Sequence, residues 1–242
     1  ELARLAQLEA PEAAALNQTR VLMELNELLR EDNIVAASGS LPSDLERVWT
    51  ARRPGAYHLE YGFSCMGYEV SGALGVKLAD PEHEVYTFVG DGGFLMGHSD
   101  LLTSIQEGHK INVLLFNNSG HQCIHNLERS QGMGTFGTEF RFREQSTGGL
   151  TGGYVPVNYV KLASAYGVKT WRVTTLTELY AAIEASKQSD VSTLIEIMVL
   201  PGTMTEGYEN FWRVGTASVA EKESVRKAYE KLNDVVKNLR KY

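Results

Sequence analysis

Glu84-Val85-Tyr86-Thr87-Phe88-Val89 runs into Gly90-Asp91-Gly92-Gly93, and Ile111-Asn112-Val113-Leu114-Leu115-Phe116 runs into Asn117-Asn118-Ser119-Gly120. Each is a short apolar run stopped by glycine and polar residues. Such runs mark strands buried on both faces, as in a parallel sheet covered by helices. His98 to Gln106, between them, reads as a helix. The alternation continues outward. Pro11 followed by Glu12-Ala13-Ala14-Ala15 reads as a first helical turn, and Val21, Leu22, Leu25, Leu28 and Leu29 recur at helical spacing. Asn33 to Ala37 reads as a strand entering the loop Ser38-Gly39-Ser40, and Met66 to Leu78 as a helix rich in small residues. Beyond the glycine-rich, loop-like stretch Gln131 to Val157, Leu162 to Tyr166 reads as helix and Gly167 can cap it. Val168 to Val173 reads as strand, Thr177 to Lys187 as helix and Thr193 to Leu200 as the last strand. About five strands alternating with helices predict an α/β fold, a doubly wound and mostly parallel sheet flanked by helices. The expected organisation is a helical lead-in over 1–32, an α/β domain over 33–200, and a tail over 201–242. That tail carries Tyr208, Phe211 and Trp212, then a helix with Val225, Tyr229, Leu232, Val236 and Leu239 on one stripe.

The chain has 242 residues, enough for a sizeable core. Its 23 Lys and Arg against 30 Asp and Glu give a net charge of −7, which argues against a nucleic-acid or anionic-membrane binder. Backbone amides can still bind phosphate locally. Two cysteines, Cys65 and Cys123, exclude a disulfide scaffold and suit a reducing, cytoplasmic setting. No apolar run has membrane-spanning length, so no membrane partner is expected. The sequence opens Glu1-Leu2-Ala3-Arg4, without a Met, and is expected to be a fragment or a processed piece.

Sites in doubly wound sheets lie at the carboxyl ends of strands. The loops Ser38 to Ser40, Gly90 to Gly93 and Asn117 to Gly120 should therefore share one rim. Glycines at 90, 92 and 93 let the backbone turn and approach a ligand, and their amides suit an anion. Asp91 would repel a phosphate there, a conflict that Mg²⁺ resolves by taking oxygens from both. Asn118 follows Asp91 by 27 positions, one helix and one strand apart, so both reach the same edge. An Asn oxygen and a backbone carbonyl are suitable hard ligands for that ion.

This pairing resembles the signature of thiamin diphosphate enzymes, Gly-Asp-Gly followed at such a spacing by Asn-Asn. The resemblance implies that Asp91, the Asn118 side chain and the Gly120 carbonyl bind Mg²⁺. It implies that Gly90, Gly92, Gly93 and the Ser40 hydroxyl attend the diphosphate. Met66 matches the apolar wedge that holds the cofactor bent, and the Ser64 carbonyl would accept from the aminopyrimidine amine. Ser38-Gly39-Ser40-Leu41-Pro42, Glu60 through Glu69, Phe136 through Arg141 and Val199 through Thr205 narrow the resemblance. They are similar to the trihydroxycyclohexane-1,2-dione hydrolases of myo-inositol breakdown, relatives of acetolactate synthase, from about Asn33 to Ala217. The family resemblance implies ring opening of a polyol dione by C–C hydrolysis, to 5-deoxyglucuronate. Family members carry a pyrimidine-binding domain and a central domain ahead of this one. None precedes Asn33 here, so the chain is expected to need a pyrimidine-binding domain from elsewhere, and to act in a homo-oligomer.

His121 and Gln122, just past the metal loop, are candidates to contact cofactor or substrate. His121, Cys123 and His125 would share a face only in a strand, and a helix is expected there. Cys123 has no evident ordering partner, and His98 reads as a core or surface residue. Glu139, Arg141 and Arg143 could serve a polar substrate, although solvated surface is their default. The aromatic tail could be a lid or a docking surface. Two other readings stay open: an acetolactate synthase-like carboligase, and a non-catalytic cofactor-binding module.

Overall fold

A computed structural model describes residues 15–202 and 215–238. The helical turn expected at Pro11 and the tail aromatics Tyr208, Phe211 and Trp212 lie outside the described residues. The chain forms two compact units, one built from residues up to His121 and again from Val155, the other from 122–154 and the C-terminal segment.

The first unit begins with α1 (Gln18–Leu28), whose first free amides are met by the Asn17 side chain accepting from the Arg20 amide at 3.0 Å. There follow β1 (Asn33–Ala36), α2 (Leu41–Val48), β2 (Tyr57–Leu59), α3 (Tyr68–Ala79) and β3 (Val85–Gly90). Then come α4 (Asp91–Gly97), α5 (Asp100–Glu107) and β4 (Asn112–Asn117). The second unit contributes α6 (Gln122–Ser130). The chain returns to the first unit for α7 (Tyr159–Ser164), β5 (Lys169–Val173), α8 (Leu176–Lys187) and β6 (Thr193–Met198). The final helix of the second unit is α9 (Glu223–Lys237).

Among the described residues the strands of the sheet pair in parallel, in the order β2-β1-β3-β4-β6-β5. Chain order reverses direction across β1 and β3, which is the doubly wound pattern the apolar runs predict. Alternate residues of each strand feed opposite faces. Tyr86, Phe88, Leu114, Phe116, Ile195 and Ile197 pack with α1, α2 and α8 on one side. Val85, Val89, Val113, Leu115 and Leu194 pack with α3, α5 and α7 on the other. Both halves of a strand are therefore apolar, and each fully buried aliphatic or aromatic side chain contributes about 1.5–3 kcal/mol. The ring of Phe88 stacks on Phe116 at 6.0 Å and takes the edge of Trp49 at 5.5 Å.

Three local differences from the sequence reading have physical causes. The sixth strand, β2, is a three-residue edge strand with half-buried side chains, too short for a periodic signal. A helix, α2, follows Ser40, where Pro42 fits a first turn. The helix expected over 98–106 forms as α5, and a further helix, α4, precedes it, beginning at Asp91 directly after β3. Gly97, the last residue of α4, lies against the Gly67 carbonyl, where only glycine fits; a β-carbon there would stand 2.4 Å from that oxygen.

Helix α8 carries a reciprocal cap, with the Thr175 hydroxyl accepting from the Glu178 amide at 3.2 Å and the Glu178 carboxylate accepting from the Thr175 amide at 3.2 Å. Thr175→Ala is expected to lower stability by about 1 kcal/mol. Urea unfolding at an unchanged slope would register it, and an unchanged midpoint would deny the cap its role.

Candidate cofactor and metal site

Strands β3 and β4 are neighbours in register, Gly90 opposite Phe116, so the residues after them meet at one rim. Asp91 is fully buried there. Its Oδ1 accepts from its neighbour Gly92's amide and its Oδ2 from the Gly120 amide, both at 3.0 Å. Gly120 is brought back by a left-handed turn at Ser119, φ 62°. The turn is fixed by Asn117, whose Oδ1 accepts from the Ser119 amide at 3.1 Å. Asn117 is held in turn by Glu196, a fully buried carboxylate on β6. Glu196 accepts from Asn117 Nδ2 at 2.7 Å and from Arg172 Nε at 2.8 Å. Sequence reasoning missed Glu196, which looks like one more polar residue in an apolar strand until its partners are seen.

The Asn118 amide stands 3.2 Å from Asp91 Oδ1 and 3.0 Å from the Gly120 carbonyl oxygen. Turned with its nitrogen toward them, it donates to both. Turned with its oxygen toward them, three oxygens face one another, and a hard cation is what reconciles that set. Burial pushes the Asp91 carboxyl up to about 7, because the backbone amides around it, Gly92 and Gly120 foremost, only partly offset the loss of water. A buried carboxylate, an amide and a carbonyl on one point fit Mg²⁺ by donor type.

The other cofactor candidates belong to the same unit. Strand β1 lies between β2 and β3, so Ser38 to Ser40 emerge beside Asp91. The Ser38 hydroxyl lies 3.6 Å from where a β-carbon on Gly93 would sit. Ser40 precedes α2, and Gln18 Nε2 reaches its hydroxyl at 3.4 Å and Asp44 Oδ2 at 2.8 Å. Ser64 adopts a left-handed backbone, φ 51°, in the turn before α3. The Glu60 carboxylate fixes that turn by accepting from the Phe63 and Cys65 amides at 3.1 and 2.9 Å. Those donors hold the Glu60 carboxyl below its usual range. Met66 is 43% exposed, so it does not serve core packing. Gly90 has open space where a side chain would project.

His121 packs its ring on Gly92, with Nδ1 2.4 Å from the position of an added β-carbon. Gly92→Ala is therefore expected to cost about 1 kcal/mol by displacing that ring. In a His121→Ala background the same change should be neutral or slightly stabilising, because Ala suits a helix better than Gly. Thermal unfolding of the four proteins checks this, and equal effects in both backgrounds would contradict the contact.

Gln122 opens α6 in the second unit and is buried. Helix there sets Cys123 and His125 on different faces, and among the described residues no three of His, Cys, Asp and Glu gather as a metal set. Arg141 is not a solvated side chain. Its Nε and one terminal nitrogen donate to Glu139 at 3.0 and 3.2 Å, and its guanidinium covers the Tyr154 ring at 3.9 Å. It clips the glycine-rich segment of the second unit, beside the Arg141–Tyr154 bridge. Arg143 donates to the Gly148 carbonyl in the same segment. His98 Nδ1 pairs with the Tyr166 hydroxyl at 3.0 Å, a packing role.

A family described as "Thiamine pyrophosphate enzyme, C-terminal TPP binding domain" matches residues 37–197. A protein of Bacillus cereus named 3D-(3,5/4)-trihydroxycyclohexane-1,2-dione hydrolase 2 is 56% identical over 227 residues, covering 93% of this chain and 35% of that protein. A hydrolase of the same designation from Clostridium tetani is 56% identical over 231 residues, 95% of this chain and 36% of that protein. Another, from Geobacillus thermodenitrificans, is 54% identical over 228 residues, 94% of this chain and 36% of that protein. The chain thus spans little more than a third of the length of these relatives. Among solved structures, a thiamine diphosphate-dependent 4-hydroxybenzoylformate decarboxylase of Rhodococcus jostii superposes with a TM-score of 0.67 at 21% identity. That match covers 80% of this chain and 34% of the decarboxylase, and it shows a shared fold.

Proposed function

Because the chain belongs to the thiamine pyrophosphate enzymes, through their C-terminal cofactor-binding domain, we propose that it holds the diphosphate end of thiamin diphosphate (the same compound) through Mg²⁺. In a longer or multi-chain assembly it would then serve the C–C hydrolysis of a trihydroxycyclohexane-1,2-dione, adding one water to open the ring. The observation that carries the metal reading is the meeting of Asp91, Asn118 and Gly120 at the ends of β3 and β4. The names and 54–56% identities of the relatives support the substrate.

When bound, the cofactor supplies a carbon nucleophile and an electron sink beside a carbonyl. The residues of this chain bind and orient. Asp91, Asn118 and the Gly120 carbonyl hold the ion; Gly90, Gly92, Gly93 and the Ser40 hydroxyl attend the diphosphate. The Ser64 carbonyl would accept from the aminopyrimidine amine, and Met66 would give the cofactor an apolar support. His121 and Gln122 are the candidates to face substrate or the reacting end of the cofactor. A pyrimidine-binding domain, from this protein's other segments or another copy in a homo-oligomer, completes the site. Exposed Phe63, Met66, Tyr68 and Met96 in the first unit support such a neighbour. The proposed location is cytoplasmic, on the scarcity of cysteine; among the described residues no helix is long and apolar enough to cross a membrane.

Calorimetric titration of thiamin diphosphate with and without Mg²⁺ tests the binding. The expected result is binding that requires the ion and vanishes in chelator; Mg²⁺-independent binding, or none, refutes it. Incubation of the complete protein with the dione, read by mass spectrometry, should yield one acid heavier by one water. Condensation with a second keto acid would instead establish the carboligase.

A further inference from the structure

Glu69 has no place in the roles above, yet it lies at their centre. It sits in the first turn of α3 and is fully buried. Its Oε1 accepts from the Ser38 amide at 3.1 Å and the Ser38 hydroxyl at 2.5 Å, and its Oε2 from the Gly67 amide at 2.8 Å. Its own carbonyl accepts from the Thr87 hydroxyl on β3 at 2.8 Å, and that hydroxyl also reaches the Val35 carbonyl on β1 at 3.2 Å. A β-carbon on Gly93 would lie 3.7 Å from Oε1, so the carboxylate also underlies the Gly90 to Gly93 turn.

We propose that Glu69 is a positioning residue that ties the loop bearing Ser40 to the turn bearing Met66 and so sets the width of the cofactor cradle. The proposal deepens the cofactor reading and rests on it. Both carboxylate oxygens are used, each on a donor from a different loop. A buried carboxylate is tolerated only where donors surround it, and Glu69 has three, from two separate segments. An apolar residue would fill the same volume but leave the Ser38 and Gly67 amides without acceptors. The turn before α3 takes left-handed backbone at Ser64 and Gly67, φ 51° and 94°. It is gripped from two sides, by Glu60 on the exposed flank and Glu69 on the buried one, and Met66 stands between the grips, 43% exposed. The grips hold that side chain out where a ligand can rest on it.

Glu69→Gln keeps size but must turn an NH₂ toward either Ser38 or Gly67. Three readouts on the full chain test the proposal: thermal unfolding, amide exchange over 33–41 and 60–68, and thiamin diphosphate affinity at saturating Mg²⁺. The expected result is native far-ultraviolet circular dichroism, exchange faster by about tenfold in one or both segments, and affinity weaker by about tenfold. Ser38→Ala, which removes one donor, should weaken affinity by about threefold. Added to Glu69→Gln, it should weaken affinity little further. Wild-type exchange in Glu69→Gln, or faster exchange at unchanged affinity, overturns the proposal. If Glu69→Gln does not fold, Ser38→Ala decides, and wild-type affinity there overturns it. Failure of the unsubstituted protein to bind the cofactor would refute the cofactor reading instead, while the exchange data would still report whether Glu69 ties the two loops.

Discussion

Asp91→Ala is expected to abolish Mg²⁺-dependent binding of thiamin diphosphate, weakening it by at least about a hundredfold, which is about 3 kcal/mol. Of the three groups that meet at the rim, Asp91 alone carries charge; Asn118 and the Gly120 carbonyl offer dipoles. Mg²⁺ gives up its water reluctantly, and a neutral pair is a poor exchange for that shell. Asp91→Asn keeps the shape and removes the charge, so it should fail equally. Asn118→Ala keeps the charge and should weaken binding by only about tenfold. Calorimetric titration in Mg²⁺ and in chelator measures all three. Loss of fold is separated from loss of binding by the melting temperature without metal. Asp91→Asn should not lower it near neutral pH, because it removes a charge that burial already disfavours and keeps a polar side chain in place. Asp91→Ala leaves the Gly92 and Gly120 amides without their acceptor and should lower it. An Asp91→Asn protein that still binds more tightly with Mg²⁺ would move the metal away from this rim.

The parts of the molecule legible in sequence are those whose signal is local. Strands β3, β4 and β6 are nearly continuous apolar runs, because each face of the sheet is covered. Asp91 and Asn118 stand out because glycine and asparagine punctuate strand ends, and adjacency of β3 and β4 follows from one intervening crossover. What escaped is set by contacts between distant segments. Gly92 and Gly93 read as loop on intrinsic propensity, yet they lie in the first turn of a helix that ends where Gly97 meets Gly67. Glu69 and Glu196 each serve a loop far away in sequence, Ser38 in one case and Asn117 in the other, and nothing near them in the chain announces it. Arg141 looks like a free cation for a polar substrate until Glu139 and Tyr154 enclose it. The strand Tyr57–Leu59 is defined by its pairing with β1 rather than by its own pattern.

The same carboxyl makes stability depend on pH in a direction opposite to most acids. Burial raises Asp91 from 3.8 to about 7, so the folded chain keeps its proton over a range where the unfolded chain has lost it. Unfolding then releases a proton, and stability falls as pH rises between those values. The loss accumulates at about 1.4 kcal/mol per pH unit across that interval and reaches about 4 kcal/mol above its upper end. Below the lower value the penalty is absent, since both states are protonated. Mg²⁺ needs the ionised form, so its binding must displace this proton, and its affinity should climb up to about tenfold per pH unit and level off above about 7. Metal-free melts between about pH 5 and 8 should show the unsubstituted chain declining relative to Asp91→Asn, which has no proton to lose. Saturating Mg²⁺ and thiamin diphosphate should flatten that difference by stabilising the carboxylate in the folded state alone. Parallel pH profiles for the two metal-free proteins would mean that Asp91 is ionised at no cost, and that the surrounding amides fully offset its burial.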